Sequence, residues 1–415
     1  MAARVVGFAK TIRNNWKKSL FASGLIAWGG NFAKQKYQEE ELRRKYCAEA
    51  KKYGDQPVLP HEKPRKVTVF LNPAARSGKA RKLFEKNVAP LLHLAGFEVG
   101  IVKTEYEGQA KKYMDVLENA DCVMVAGGDG TLLEVVTGLL RRSDKLSQQI
   151  PVGVLPLGNV SSFAGLLFGY REEKELVQWL IDATMAVIKG STKPVNVLSV
   201  KGKDDKTVYS VSGIEWGAYR EAEKKKKKNW YFGKFKHHYN YLKYSIKQQW
   251  PPEVKGELVY GNPCSGCSAC RPAPEWRWWH VLFKPRFEDF TKIINEDCGV
   301  QYHKEVNGVQ FTARSNNYFQ NENEASTEIS ISPVLERKDF LKEGFSKLDK
   351  KPYRDITSNS DVLTVGSFKF TPHLKEDEEA WFYIDNEEYD AMPIEVTVLK
   401  NGIHVFYDPQ GTGPS

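Results

Sequence analysis

The sequence predicts an α/β domain, a parallel sheet with helices on both faces, followed by a C-terminal, mostly antiparallel β domain. Three observations predict it. Short apolar runs alternate with helical stretches between residues 67 and 155. Turn-rich loops carrying glycine stand at the ends of two such runs, at 72–79 and 127–131. From about residue 195 the alternation gives way to short strand-like runs separated by polar turns.

Taken in order, residues 36–60 are charged and helical in pattern, ending on Gly54. Val67–Leu71 reads as a buried strand that runs into Asn72-Pro73 and a loop ending at Gly78-Lys79. A helical stretch follows at 80–95, then a strand at 99–103 and a helix at 107–119. Asp121–Ala126 is the third strand, Leu132–Arg142 the next helix and Val152–Leu155 the next strand. Strand and helix repeating at this spacing require parallel strands joined by crossovers. Beyond it, strand-like runs stand at 195–200, 207–213, 329–334, 362–370, 380–384 and 394–399. Residues 250–325, rich in Cys, Pro and Trp, show no periodicity and read as an insertion. The expected organisation is an N-terminal segment 1–60, an α/β domain 61–194 and a β-rich domain 195–415, whose last strands can return to the first sheet.

The 415 residues, 41% hydrophobic, allow two cores with tails. A net charge of +9 favours an anionic partner. Anionic lipid and nucleotide fit; nucleic acid does not, because the basic residues follow no recognised binding motif. No run reaches the roughly 20 apolar residues of a spanning helix. The longest, Leu20–Ala33, is interrupted by Gly24, Gly29, Gly30 and Asn31. Before Glu39 there is no acid, but Arg4, Lys10, Arg13, Lys17, Lys18, Lys34 and Lys36. That composition suits a mitochondrial targeting segment. It also suits an interfacial helix with Trp16, Leu20, Phe21, Leu25, Ile26 and Trp28 as its apolar contact.

Gly127-Gly128-Asp129-Gly130-Thr131 sits where a strand ends and a helix begins, the place where parallel sheets bind ligands. Glycines there let backbone N–H groups approach phosphate, and the helix N-terminus favours negative charge. An acid among them repels phosphate, so Asp129 makes sense if it holds Mg²⁺, directly or through water, or orients an attacking hydroxyl. The plainer alternative is a glycine-rich turn with a capping Asp. Asn72-Pro73 and Lys79 bring a second loop to the same crevice, or form an ordinary Pro turn.

These pieces, in order, resemble the diacylglycerol kinase catalytic family, which includes sphingosine and ceramide kinases. The motifs are Asn72–Ala80, Thr104–Ala110, Gly127–Val135, Pro156–Ala164 and Ile384–Glu387, the last matching a DGE element. Several departures are similar to its acylglycerol kinase branch: Arg76 for a glycine, Asn159 for Thr, Ser161-Ser162 for Asn-Asp, and Gln109 for His. Leu83–Gly96, Asn386–Pro393 and the basic N-terminus are similar to that branch too.

The resemblance implies an ATP- and Mg²⁺-dependent lipid kinase that phosphorylates monoacylglycerol and diacylglycerol; a sphingosine or ceramide kinase is the alternative within the class. It implies a nucleotide site lined by Asn72, Pro73, Lys79, Thr104, Gly127, Gly128, Gly130, Thr131 and Gly158. Asp129 and Glu387 would be catalytic, with Glu387 as general base and Asp129 on the metal, and Glu221 would meet the lipid head group. Asn386, standing where the element has Gly, tolerates a left-handed backbone. The branch implies a mitochondrial, inner-membrane or intermembrane-space location. It also implies a second role as a structural subunit of the translocase that imports carrier proteins.

Two features remain. Cys264, Cys267 and Cys270 have metal-like spacing, with Cys298 the nearest further thiol; zinc, disulfides and reduced thiols all fit. Trp276–Phe287 interleaves aromatic and basic residues, which suits docking on a membrane surface, or a cap on the β core. Lys224–Lys228 is a solvated face or a contact for anionic lipid.

Overall fold

The structure, a computed structural model, describes residues 15–57, 63–118, 120–144, 149–158, 161–203, 206–224, 236–247, 250–252, 254–271, 290, 292–318, 325–349, 360–374 and 379–409. Arg4, Lys10, Arg13, Asn159, Lys225–Lys228 and Trp276–Phe287 lie outside the described residues.

The chain opens with α1 (Trp16–Gly54), a 39-residue helix about 58 Å long. Its C-terminal half packs on the core through Leu42, Tyr46, Cys47, Ala50 and Tyr53. Its N-terminal half exposes Trp16, Leu20, Phe21, Leu25, Ile26 and Trp28. Among the described residues no helix is long and apolar enough to cross a membrane.

The first layer is built as the alternation predicts. It comprises β1 (Lys66–Leu71), α2 (Ala80–Asn87), α3 (Ala89–Leu94), β2 (Glu98–Lys103), α4 (Gln109–Asp115), β3 (Cys122–Gly127), α5 (Asp129–Arg141), β4 (Val152–Pro156), α6 (Ser162–Phe168) and α7 (Leu176–Lys189). The stretch at 80–95 is two helices, broken at Val88, because Pro90 has no N–H to continue the hydrogen-bond ladder of the first helix and is tolerated in the first turn of the second. Strands β1 to β4 are parallel and ordered β2-β1-β3-β4. The strands β1, β3 and β4 are almost wholly buried, as a sheet covered on both faces requires.

The second half contributes β5 (Thr192–Lys201), β6 (Thr207–Ser210), β7 (Gly213–Gly217), α8 (Ala218–Lys224), α9 (Lys236–Lys247), β8 (Val254–Gly261), β9 (Gln301–Gly308), β10 (Gln310–Ser315) and β11 (Thr327–Ser332). After these come α10 (Arg337–Asp349), β12 (Asp361–Val365), β13 (Ser367–Pro372), β14 (Trp381–Ile384), β15 (Glu387–Asp390) and β16 (Ile394–Phe406). Strand β16 joins β4 in parallel and β5 and β13 antiparallel, so the first sheet runs on through β13, β8 and β9. A second, antiparallel sheet is ordered β12-β11-β10-β7-β14-β15. Between the two lies an aromatic core in which Phe311 stacks on Phe370 at 4.5 Å and Trp216 meets Phe382 edge-on.

Three parts of the sequence reading are corrected. Residues 250–325 are not one insertion: they hold β8, β9 and β10, and the excursion between β8 and β9 covers only 262–300. The run at 207–213 belongs to two strands, and so does the run at 362–370; helices α9 and α10 stand among the strands of this half. Helix α5 ties the halves together, because Leu132 packs in the α/β core and Leu133 in the sandwich core.

Candidate active site

The strand β3 delivers its C-terminal end to Gly128, whose extended backbone caps α5. Asp129 is therefore the first residue of α5, and it is 3% exposed. Its Oδ2 accepts the Ser162 N–H at 3.0 Å and the Asn386 Nδ2–H at 2.9 Å, and its Oδ1 accepts the Phe163 N–H at 3.4 Å. Burial pushes this carboxyl above the ordinary Asp range, and the donors from Ser162, Phe163 and Asn386 oppose that. Two separate segments, the start of α6 and the β14–β15 turn, thus converge on this carboxylate.

Asn386 reaches it from the tip of the β14–β15 hairpin. The two-residue turn Asp385-Asn386 has positive φ at both residues, 46° and 71°, the geometry that matches hairpin twist. The expectation for Asn386 holds: it takes the left-handed conformation a Gly would take. It also does what Gly cannot, donating its side-chain amide to Asp129. Asp385 anchors the turn. It accepts the Ser210 hydroxyl at 2.6 Å and the N–H groups of Val211, Ser212 and Gly213 at 2.9, 2.9 and 3.0 Å. Burial pushes its carboxyl up to about 6.

Glu387 follows and lies against the first turn of α5. A Cβ on Gly130 would stand 1.7 Å from Glu387 Oε1, so only glycine admits the carboxylate there. Burial, then the negative charges of Glu107 and Glu134, push Glu387 up to about 7. Glu134 in turn accepts the Gly108 and Ala110 N–H groups at 2.7 and 3.1 Å.

The loop after β1 faces the same crevice. Asn72 Nδ2 lies 3.4 Å from Thr131 Oγ1, and Thr104 bonds through N–H to the Leu71 carbonyl at 3.0 Å. Arg76 holds φ +52°, where the related motif has Gly, and pairs with Glu173. Lys79 ends this turn, exposed, and among the described residues no hydrogen bond or ion pair ties it to the acidic cluster. Gly158 is buried at the end of β4, and the nearby Ser161 Oγ is buried without a hydrogen-bond partner among the described residues. Glu221 Oε1 accepts the Tyr383 hydroxyl at 2.8 Å. Tyr383 lines a cleft of about 50 Å³ with Ser162, Glu215, Arg314 and Asn386. On the other flank an apolar cavity of about 250 Å³ is walled by Leu133, Val208, Phe382, Ile384 and Met392, together with Glu134.

Sequence reasoning singled out Asp129 and Glu387, which the fold brings together with Asn72, Thr131 and the glycines. It did not single out Glu107, Glu134 and Asp385. All three stood inside the quoted motifs, and a capping acid opposite a helix start was the available signal for Glu134.

Replacing Asn386 by Gly separates its two roles. Gly keeps the left-handed turn but removes one donor from Asp129. We expect kcat to fall roughly 10- to 150-fold, the worth of one charge-assisted hydrogen bond of about 1.5–3 kcal/mol, with a melting temperature lowered by the loss of that bond alone. Asn386→Ala adds left-handed strain of roughly 1 kcal/mol; thermal melts of the two variants check this.

Residues 66–200 match the diacylglycerol kinase catalytic domain, and residues 211–412 match the acylglycerol kinase C-terminal family. Residues 7–115 match Tim54, an inner membrane protein import complex subunit. The chain is 38% identical to the mitochondrial acylglycerol kinase of Mus musculus, over 98% of this chain and 97% of that protein. It is 37% identical to that of Homo sapiens, over 97% of each. Sphingosine kinase 1 of Arabidopsis thaliana is 33% identical over 39% of this chain and 33% of its own length. A solved diacylglycerol kinase of Bacillus anthracis shares the fold, with TM-score 0.53 and 18% identity, covering 84% of this chain and 99% of that one.

Proposed function

The chain belongs to the acylglycerol kinase family, and from that premise we propose that Asp129 and Glu387 carry phosphate transfer from ATP to the hydroxyl of monoacylglycerol and diacylglycerol. It is a mitochondrial, ATP-dependent lipid kinase. The observation that supports the assignment is the placement of Glu387 against Gly130, one residue from Asp129, at the carboxyl ends of the parallel strands.

The roles follow from the environments. A glycerol hydroxyl is a weak nucleophile, and a base works best with a pKa near the working pH. Glu387, pushed to about 7, has that property. It accepts the hydroxyl proton as the hydroxyl oxygen bonds to the γ-phosphorus and the bond to the ADP oxygen breaks. Asn72, Thr104 and Thr131 line the crevice with Gly127, Gly128, Gly130 and Gly158, whose backbone admits phosphate closely. Pro73 shapes the first loop, and Lys79 on its exposed end offers a cation to the phosphates.

The residues present fit Mg²⁺. The donor set is all carboxylate oxygen, and Mg²⁺ is usually held by one or two carboxylates with phosphates and waters. Asp129 Oδ2 is already shared by two donors, so Asp129 would hold the ion chiefly through water. When bound, Mg²⁺ neutralises the β- and γ-phosphate oxygens. The apolar cavity beside Glu134 gives the acyl chain a compartment of matching polarity, while Tyr383 and Glu221 line the polar approach to the head group.

Phosphate transfer from labelled ATP to monoacylglycerol, diacylglycerol, sphingosine and ceramide tests this. Label is expected on the acylglycerols, lowered about 10²–10³-fold by Asp129→Ala. Label on sphingosine alone, or an active Asp129→Ala, overturns the reading.

The match of residues 7–115 to an import-complex subunit favours a second role, as a partner of an inner-membrane import complex. The exposed apolar half of α1 supplies a contact for it or for the membrane surface. That role needs no Asp129, so Asp129→Ala should keep complex association while losing transfer.

A further inference from the structure

We propose that Cys264, Cys267, Cys270 and Cys298 form a structural zinc site that closes the excursion between β8 and β9. The four Sγ atoms lie within 4.8 Å of one another. Cys264 Sγ and Cys267 Sγ each lie 3.7 Å from Cys270 Sγ. Four thiolates on a tetrahedral zinc at 2.3 Å are necessarily ~3.8 Å apart. A disulfide needs ~2.05 Å. The spacing is that of sulfurs around one ion, rather than of sulfurs bonded to each other. A polynuclear iron–sulfur cluster spreads its cysteines around several irons, wider than this set.

The surroundings are built for it. Strands β8 and β9 end their ladder at Gly261↔Gln301. Cys264 follows that rung by three residues and Cys298 precedes it by three, so the hairpin itself brings both ends together. Cys270 Sγ accepts the Cys267 N–H at 3.3 Å, the kind of second bond that orients a thiolate ligand. The Cys267 carbonyl accepts the Arg271 N–H at 2.9 Å, and Ser268 N–H bonds to the Ile293 carbonyl at 2.9 Å. Gly266 holds φ +136°, and a Cβ there would lie 2.4 Å from the Phe290 ring. The turn between Cys264 and Cys267 therefore demands glycine.

All four ligands are soft, with no His or carboxylate among them, and that donor set selects zinc over Mg²⁺ or Ca²⁺. The remaining thiols, Cys47 in α1 and Cys122 buried in β3, are far along the chain and belong to the first layer. The ion would join both ends of a 39-residue excursion (262–300). Of its cysteines, only Cys267 is buried.

Elemental analysis of the full chain, purified without added metal, is expected to give about one equivalent of zinc. Titration with an organomercurial should release that equivalent as the thiols are consumed, which needs no variant. Cys298→Ser is expected to lower zinc at least tenfold, while Cys47→Ser leaves it unchanged. Zinc-depleted protein reloaded with Co²⁺ should show the intense absorption of tetrahedral thiolate coordination. An intact mass short of hydrogens in unreduced protein, which marks disulfides, overturns the proposal. So does iron or copper in place of zinc, or no metal.

Discussion

Asp385→Ala is expected to lower stability by about 3–5 kcal/mol and to remove most of the activity. Four donors converge on this carboxylate, three of them backbone N–H groups of 211–213. Its side chain is the joint between β6, β7 and the β14–β15 hairpin. Alanine leaves buried donors without partners, each costing roughly 1–3 kcal/mol. The turn is held in a left-handed conformation that most residues resist. Without Asp385 the turn relaxes, and Asn386 and Glu387 move with it. Misplacement of a base by about an ångström costs on the order of 10²-fold in rate. Asp385 therefore links stability and catalysis through the turn it holds, its carboxylate being taken up by four donors. A urea titration with parallel rate measurements checks it. Lost activity at unchanged stability would contradict a positioning role. Asp385→Asn, which keeps the shape, is expected to fall between the two.

What was legible in the sequence follows from what each element needs locally. The strands β1, β3 and β4 are covered on both faces, so continuous apolar runs such as Val67–Leu71 announce them. Gly127–Thr131 announces itself because close phosphate approach and the Glu387 contact both demand glycine. The strand β9 does not. Of Gln301–Gly308 only Val306 and Gly308 are buried, as suits an edge strand, and QYHKEVNG carries no apolar period. The strand β8 alternates, but Gly256 and Gly261 blur the pattern. In the site, Asn386 was legible as a turn residue from its own backbone preference. Its bond to Asp129 spans 257 positions and follows only from tertiary pairing. Likewise the cysteine spacing was legible, but Cys298 as the fourth member depended on the β8–β9 ladder.

Glu387→Gln separates the cost of a functional carboxylate from its use. We expect kcat to fall about 10²–10⁴-fold, the usual loss for a general base, while the folded state gains stability. The sign follows from linkage. The folded-state pKa, about 7, lies above the ordinary 4.5, because burial and then Glu107 and Glu134 disfavour the charged form. Between those values the folded protein binds more protons than the unfolded chain, so its stability falls as pH rises from about 4.5 to 7. Above 7 the wild type carries the full cost, on the order of 1 kcal/mol after screening by solvent at this half-buried position. Glutamine carries no charge and escapes it, so the variant should melt higher at pH 8 and match the wild type more closely near pH 5. The rate profile runs the opposite way. Wild-type kcat/KM should rise with pH and reach half its plateau near 7, when Glu387 loses its proton, and the variant should lack that limb. Thermal melts at both pH values and a pH–rate profile from 5.5 to 8.5 measure each half. A wild-type acid limb that persists in the variant would assign the base to another group. A base made competent by the same burial and repulsion that weaken the fold is what the proposed role of Glu387 requires, and a purely structural carboxylate would have no use for that cost.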